Sequence, residues 1–254
     1  MAVGGTVSHA RQRLIQYLTK YRRLGKQRMS LPEYSSLQKF LAEIAGTFFL
    51  VLMGTGAIVV HQSTNGAVSH VGICLVWGFI VTAMIYTFGH VSGAHMNPAV
   101  TLASFLAGRF PAKQVLPYWL AQALGAFAAS FLLHALFPEN AGLGGTLPTG
   151  APWRSFVLEL FLGLMLMLVV LQVSTGSKEV GMFAGLTIGL VVLLEALFAG
   201  PITGASMNPF RSLAPAVVSG KLEHLWVYLS APTLGMALAV LFWRLLSPRQ
   251  TATG

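Results

Sequence analysis

The 254-residue sequence has no aspartate, one cysteine and few charged residues, which make up 9% of the chain. Soluble domains carry about 25% charged residues, so a soluble globular protein is excluded. The single Cys74 excludes an intramolecular disulfide and a cysteine-based metal site. The chain also lacks His-Glu-x-x-His and Gly-x-Ser-x-Gly runs. We therefore expect neither an enzyme nor a bound cofactor or metal.

The sequence is rich in long apolar runs. Hydrophobic residues make up 55% of the chain, and the mean hydropathy is +0.70. A helix needs about 20 apolar residues to cross the hydrocarbon core of a membrane. Six runs are long enough, at about residues 37–61, 68–89, 113–136, 153–175, 181–200 and 224–246. The sequence thus predicts an integral membrane protein with both termini on one side.

The net charge is +9, and the distribution of the basic residues along the chain predicts the orientation in the membrane. If the N-terminus is cytoplasmic, most basic residues are cytoplasmic and only Arg154 and Lys221 are outside, which fits the positive-inside rule. We expect a multi-pass protein of the plasma or inner membrane with cytoplasmic termini and no nucleic-acid partner. The basic residues 1–36 form either an amphipathic helix on the anionic leaflet or a solvated tail.

An eight-residue segment occurs twice, as SGAHMNPA at residues 92–99 and as TGASMNPF at residues 203–210. Asparagine is a favoured N-cap and proline suits the first helical position, so helices are predicted to begin at Asn97 and Asn208. Each is about eleven residues or 16 Å long, about half the 30 Å hydrocarbon thickness. Two such half-helices in corresponding halves predict a solute site at the membrane midplane.

The two halves are predicted to be inverted, because three spans separate the two motifs. The predicted fold is an all-α membrane domain of six transmembrane helices and two re-entrant half-helices. The segments are a basic region 1–36, a channel domain 37–247 with halves of about 37–136 and 153–247, and a tail 248–254. Glu43 and Glu159 lie in the first span of each half. We expect these carboxylates to accept hydrogen bonds from the re-entrant backbone rather than to relay protons.

The predicted midplane chemistry suits uncharged solutes. Each half-helix N-terminus carries about half a positive charge, and the amide groups of Asn97 and Asn208 are expected to remain free as donors. Non-helical backbone at this depth is tolerated only where it is buried or lines a cavity. The carbonyls expected to line the pore are those of Gly93, Ala94, His95, Gly204, Ala205 and Ser206. A cation would meet the dipoles and lose its hydration, so ions and protons are excluded.

Residues 37–247 resemble the major intrinsic protein family of aquaporins and glycerol facilitators. The resemblance rests on the two repeated motifs, the six spans and the Arg211-Ser212 pair. It implies a homotetramer in the lipid bilayer, with one pore per subunit. It also implies a pore centre and a selectivity filter. The centre comprises Asn97, Pro98, Ala99, Asn208, Pro209 and Phe210, and the filter comprises Trp77, Ala196, Ala205 and Arg211.

The four filter residues favour a wide, amphipathic constriction. Trp77 offers an apolar face and Arg211 offers hydroxyl-binding donors, while Ala196 and Ala205 leave the other two walls open. The closest resemblance is to nodulin-26-like channels and their bacterial relatives. The implied solutes are water, glycerol and uncharged boric or arsenous acid. The chain departs from glycerol facilitators in having Ser212 where they usually have aspartate.

Three questions stay open at the level of sequence. Phe210 replaces the usual alanine, and it either packs away from the pore or narrows the centre and makes a water-selective aquaporin. An ion-coupled secondary transporter also uses inverted repeats and broken helices, although it needs titratable groups where this chain has neutral asparagines. Glu195, beside Ala196, either bonds the loop backbone or lies near the pore mouth.

Overall fold

A computed structural model describes Gln16 and residues 33–175 and 177–246. The chain divides into two units, Met1–Ser35 and Ser36–Gly254. The helices of the second unit are α1 Ser36–Ser63, α2 Ser69–Ser92, α3 Pro98–Leu106, α4 Ala112–Leu136, α5 Pro152–Val173, α6 Lys178–Met182, α7 Ala184–Thr203, α8 Pro209–Ser219 and α9 Leu225–Leu246. The predicted basic segment, apart from Gln16 and residues 33–36, and the predicted tail lie outside the described residues.

Six of these helices are long and apolar enough to cross a membrane, namely α1, α2, α4, α5, α7 and α9. The six-span prediction is confirmed. The fifth span begins at Ala184, three residues later than the sequence indicated. Phe183 causes the difference, because its φ of −96° and ψ of 4° depart from helical geometry and separate α7 from the short α6.

The half-helices α3 and α8 begin where the Asn-Pro pairs predict. Proline occupies the first turn of each, and each asparagine is the extended residue before it. The Asn97 side-chain oxygen accepts from the backbone N–H two residues later at 2.9 Å, and the Asn208 oxygen does the same at 3.1 Å. These bonds satisfy N–H groups that have no partner within the helix, and the predicted caps are confirmed.

Helix packing repeats between the halves. In the first half α1 packs against α2 and α4, and in the second half α5 packs against α7 and α9. Across the halves, α4 packs against the half-helix α8, and α9 packs against the half-helix α3. Exchanging the halves therefore maps this contact pattern onto itself.

Glycine brings the backbones of α5 and α9 into contact. A Cβ atom added at Gly235 in α9 would lie 2.0 Å from the carbonyl oxygen of Leu160 in α5. Small residues allow such close approach between membrane helices. The α5–α9 pair is thus intolerant of any side chain at this crossing.

Gly235→Ala is expected to destabilise the protein, because the added methyl group must separate two backbones. Overpacking of this kind costs about 1–3 kcal/mol. The measurement is the temperature at which detergent-solubilised protein loses its monodisperse elution peak. Gly56→Ala in α1 is the matched control, since its Cβ would meet only the flexible end of Leu133 at 3.4 Å. Equal melting temperatures for the two variants would contradict this account.

Candidate functional site

The two re-entrant segments are the non-helical residues before α3 and α8, namely 93–97 and 204–208. Each begins at a glycine with left-handed backbone. Gly93 has a φ of 87° and Gly204 has a φ of 82°. Positive φ values recur one and three residues later in both segments, at Ala94, Met96, Ala205 and Met207. Backbone of this shape cannot continue a helix, so its N–H groups need acceptors from elsewhere in the fold.

Glu43 of α1 supplies the acceptors for the first segment. Its Oε1 accepts from the backbone N–H of His95 at 2.9 Å and from the Ser92 hydroxyl at 2.7 Å. Its Oε2 accepts from the N–H of Met96 and from the Gln122 amide, both at 2.8 Å. Glu43 has no exposed surface, so this carboxylate holds the segment from within the bundle.

Glu159 of α5 does the same for the second segment. Its Oε1 accepts from the N–H of Ser206 at 2.8 Å and from the Thr203 hydroxyl, and its Oε2 accepts from the N–H of Met207 at 2.9 Å. It is also fully buried. Both buried carboxylates thus bind loop backbone.

Two tyrosines that the sequence analysis missed complete these supports. The Tyr118 hydroxyl donates to the Ser92 carbonyl and the Tyr228 hydroxyl donates to the Thr203 carbonyl, both at 2.7 Å. The sequence contains a signal that could have revealed them, because a tyrosine follows each motif asparagine at nearly the same distance. Tyr118 lies 21 residues after Asn97 and Tyr228 lies 20 residues after Asn208.

The two half-helix N-termini meet through reciprocal hydrogen bonds. The Asn97 side-chain amide donates to the Met207 carbonyl at 2.7 Å, and the Asn208 amide donates to the Met96 carbonyl at 2.9 Å. The expectation that both amide groups are free is corrected by these bonds. Each NH₂ group has two hydrogens, so one hydrogen of each amide links the two segments and the other is not used in these bonds. Both asparagines line a cavity of about 320 Å³.

Two cavities meet at the predicted filter. The cavity beside the loop between α4 and α5, here called the outer cavity, has a volume of about 500 Å³. The cavity lined by Asn97 and Asn208, here called the inner cavity, has a volume of about 320 Å³. Trp77 and Arg211 line both cavities, Ala196 lines the outer one and Ala205 lines the inner one. Trp77 and Arg211 therefore lie where the two cavities adjoin, with Ala196 on the outer side and Ala205 on the inner side.

Arg211 is held from three sides. One guanidinium nitrogen, Nη1, donates at 3.0 Å to the carbonyl of Gly144, in the loop between α4 and α5 (residues 137–151), here called the outer loop. Nη2 donates to the Gly204 carbonyl at 3.4 Å. The guanidinium carbon lies 4.7 Å from the centroid of the Trp77 ring, which is a cation–π contact. Arg211 Nε has no hydrogen-bond partner among the described residues. This nitrogen is itself buried.

The indole of Trp77 lies against Gly54 of α1. A Cβ atom at Gly54 would lie 2.4 Å from the indole Cη2 and Cζ3 atoms. A larger residue at this position would force the ring to move. Sequence analysis assigned no role in the filter to Gly54.

The remaining candidate residues occupy different places. Pro98, Ala99 and Pro209 are buried at the half-helix starts. Phe210 is half-buried against the core and is not among the described residues that line either cavity. The predicted carbonyl residues all line a cavity, Gly204 the outer one and Gly93, Ala94, His95, Ala205 and Ser206 the inner one.

Glu195 is buried without the support that the other two carboxylates have. It is 3% exposed, and neither of its oxygens has a hydrogen-bond partner within residues 33–175 and 177–246. Of the two roles that the sequence left open, bonding to the loop backbone is therefore not observed.

The charged groups along the two cavities are positive. Arg109, Arg211 and Lys221 line them, and no acidic side chain does so in the described part of the chain. The N-termini of α3 and α8 add their positive ends at the centre. The same part of the chain holds no group of three or more His, Cys, Asp or Glu residues that could bind a metal ion.

The chain is similar to proteins of one family. A family model described as major intrinsic protein matches residues 30–243. The chain is 47% identical to Aquaporin NIP1-1 of Zea mays over 200 residues, which cover 78% of this chain and 71% of the relative. It is 45% identical to Nodulin-26 of Glycine max over 207 residues, covering 81% and 76%. The X-ray structure of the aquaglyceroporin from Plasmodium falciparum aligns with a TM-score of 0.76 at 28% identity, covering 82% of this chain and 96% of that chain.

Proposed function

The chain belongs to the major intrinsic protein family, and from this premise we propose that its pore carries glycerol and similar small uncharged hydroxylated solutes together with water. As a family member it is a multi-pass membrane protein and a passive channel for water and small solutes, not an enzyme or an ion-coupled transporter. The solutes proposed beyond water are glycerol and the metalloid acids boric and arsenous acid.

The observation that carries this proposal is the composition of the boundary between the cavities. Ala196 and Ala205 supply two walls with only a methyl group each, so a solute wider than water has room. The Trp77 ring offers an apolar face to carbon atoms. Arg211 offers guanidinium N–H donors to hydroxyl oxygens. A solute with both CH and OH groups matches both surfaces.

We propose that the same residues exclude ions and protons. A cation in the pore would meet the Arg211 guanidinium, and then two half-helix N-termini, without an acidic side chain to replace its water. At the centre, the remaining amide hydrogens of Asn97 and Asn208 donate to a passing oxygen. A water molecule oriented by these two donors directs its own hydrogens outward, which interrupts a continuous proton wire.

The experiment that tests the proposed solute is stopped-flow light scattering on proteoliposomes containing the full chain. Shrinkage in sucrose reports water permeability, and re-swelling after a glycerol challenge reports glycerol permeability. We expect both to be much faster than in protein-free liposomes. Fast water flow without glycerol uptake would contradict the proposal and establish the water-selective alternative.

We further propose a homotetramer in the plasma or inner membrane with one pore per subunit and cytoplasmic termini. The family resemblance supports the tetramer, and the distribution of basic residues supports the orientation. Both cavities and the four filter residues belong to one chain, which supports one pore per subunit.

A further inference from the structure

A chain of buried hydroxyl groups links the outer loop to the second re-entrant segment. The Thr146 hydroxyl donates to Ser212 Oγ at 2.7 Å. Ser212 Oγ lies 2.6 Å from Ser206 Oγ, which donates to the Asn208 carbonyl at 3.0 Å. These three hydroxyl residues are at most 7% exposed. This series of hydrogen bonds thus connects the outer loop to Asn208, the N-cap of α8.

The first half has a corresponding hydrogen-bond network, but its last residues lie in different elements. His95 and Thr101 occupy the positions that correspond to Ser206 and Ser212, and His95 Nδ1 lies 3.1 Å from Thr101 Oγ1. Thr101 accepts from Gln122, which also donates to Glu43. The first network therefore ends on spanning helices, whereas the second network ends on the loop that joins the halves.

That loop has a defined structure of its own. Asn140 accepts from the N–H of Leu143 at 2.8 Å and donates to Gln62 at 2.9 Å. Leu143 is completely buried. A Cβ atom on Gly204 would lie 3.0 Å from Thr146 Cγ2, so the loop lies directly on the second re-entrant segment. The loop is therefore a packed part of the outer cavity.

We propose that Thr146 is a positioning residue of the selectivity filter. Its hydroxyl holds the outer loop on the second re-entrant segment, so that the carbonyl of Gly144, two residues earlier, fixes the guanidinium of Arg211. The inference rests on the proposed function, because it takes Trp77 and Arg211 as the filter. Solute selection then depends on a residue outside the four filter positions.

Loss of the Thr146 hydroxyl is expected to lower glycerol permeation more than water permeation. Arg211 would keep its 3.4 Å bond to Gly204 and its contact with the Trp77 ring, but it would lose the 3.0 Å bond to Gly144. The guanidinium then settles further onto the indole and narrows the boundary between the cavities. Glycerol permeation falls more than water permeation because glycerol is the larger solute.

The test compares Thr146→Val, which removes the hydroxyl with little change of shape, with Thr146→Ser, which keeps it. Thr149→Val is the matched control in the same loop, since the Thr149 hydroxyl donates to the Ile202 carbonyl and has no bond to the filter.

The readout is the ratio of glycerol to water permeability in the same proteoliposomes. This ratio does not depend on the number of folded channels. Thr146→Val is expected to lower this ratio about threefold to tenfold, the range for one lost hydrogen bond. Thr146→Ser and Thr149→Val should keep the wild-type ratio.

A double-mutant cycle tests the route through Ser212. If the hydroxyl chain acts as a unit, Ser212→Ala combined with Thr146→Val lowers the ratio no further than the more harmful single change. An unchanged ratio in Thr146→Val, or an equal fall of both permeabilities, would overturn the positioning role.

The proposed function and the positioning role fail separately. Wild-type vesicles that pass water but no glycerol would refute the proposed solute. The positioning role is then judged from water permeability per reconstituted channel, which Thr146→Val must lower and Thr149→Val must leave unchanged for the role to stand.

Discussion

Replacing Glu159 by leucine is expected to abolish the folded channel, whereas the same replacement of Glu195 is expected to leave it folded and active. Glu159→Leu leaves the N–H groups of Ser206 and Met207 and the Thr203 hydroxyl buried without their acceptor. Each unsatisfied buried group costs about 1–3 kcal/mol. Three of them approach the total stability of many proteins, which is about 5–15 kcal/mol.

Glu195 provides a matched control because it is another buried glutamate of the second half. Neither of its oxygens has a partner in the described residues, so its removal leaves no donor unsatisfied and relieves the cost of burying a carboxyl group. The measurements are the elution profile of the solubilised protein and its water permeability after reconstitution. Equal losses from the two variants would show that the Glu159 hydrogen bonds are not the reason for its importance.

Ala196→His is expected to abolish glycerol permeation while water permeation persists. The imidazole would occupy the outer cavity wall at the boundary marked by Trp77 and Arg211, where the native side chain is a methyl group. Because a misfit of one methylene in a binding pocket costs roughly 10–200-fold, a whole ring should reduce glycerol permeability by more than about tenfold. Paired sucrose and glycerol stopped-flow traces on the same vesicles measure both permeabilities.

Ala196→Ser is the control for this substitution, since it adds polarity with almost no width and should keep glycerol permeation. Loss of water and glycerol to the same extent in Ala196→His would mean that the ring obstructs the whole pore. Glycerol permeation at the wild-type rate would place the solute filter elsewhere in the channel.

Features encoded over short stretches of sequence were predictable. The caps at Asn97 and Asn208 follow from the chemistry of the Asn-Pro pair, and the six spans follow from the lengths of the apolar runs. The four filter positions were implied by the resemblance to the major intrinsic protein family and were located by counting from these asparagines. Such features depend on neighbouring residues or on fixed spacing within a repeat.

Features that depend on contacts between distant segments were not predictable in the same way. The Gly144 carbonyl that holds Arg211 lies 67 residues away in the sequence, in a glycine-rich loop without a recognisable pattern. Gly54 has the same appearance as any glycine in a membrane helix, and only the position of the Trp77 ring reveals its role. The asparagine amides were expected to be free because sequence alone did not show that Met96 and Met207 present carbonyls across the pseudosymmetric centre.

The reciprocal bonds at the centre also set an order of assembly during synthesis. The Asn97 amide bonds a carbonyl 110 residues later in the chain, and ribosomes add about 5–20 residues per second, so about 5–20 seconds separate the two partners. The bonds from Glu43 to the first re-entrant segment span only 52 and 53 residues and can form earlier. The central bonds therefore cannot form until residues 207 and 208 have been synthesised, so the pore centre is completed later than the support of the first re-entrant segment.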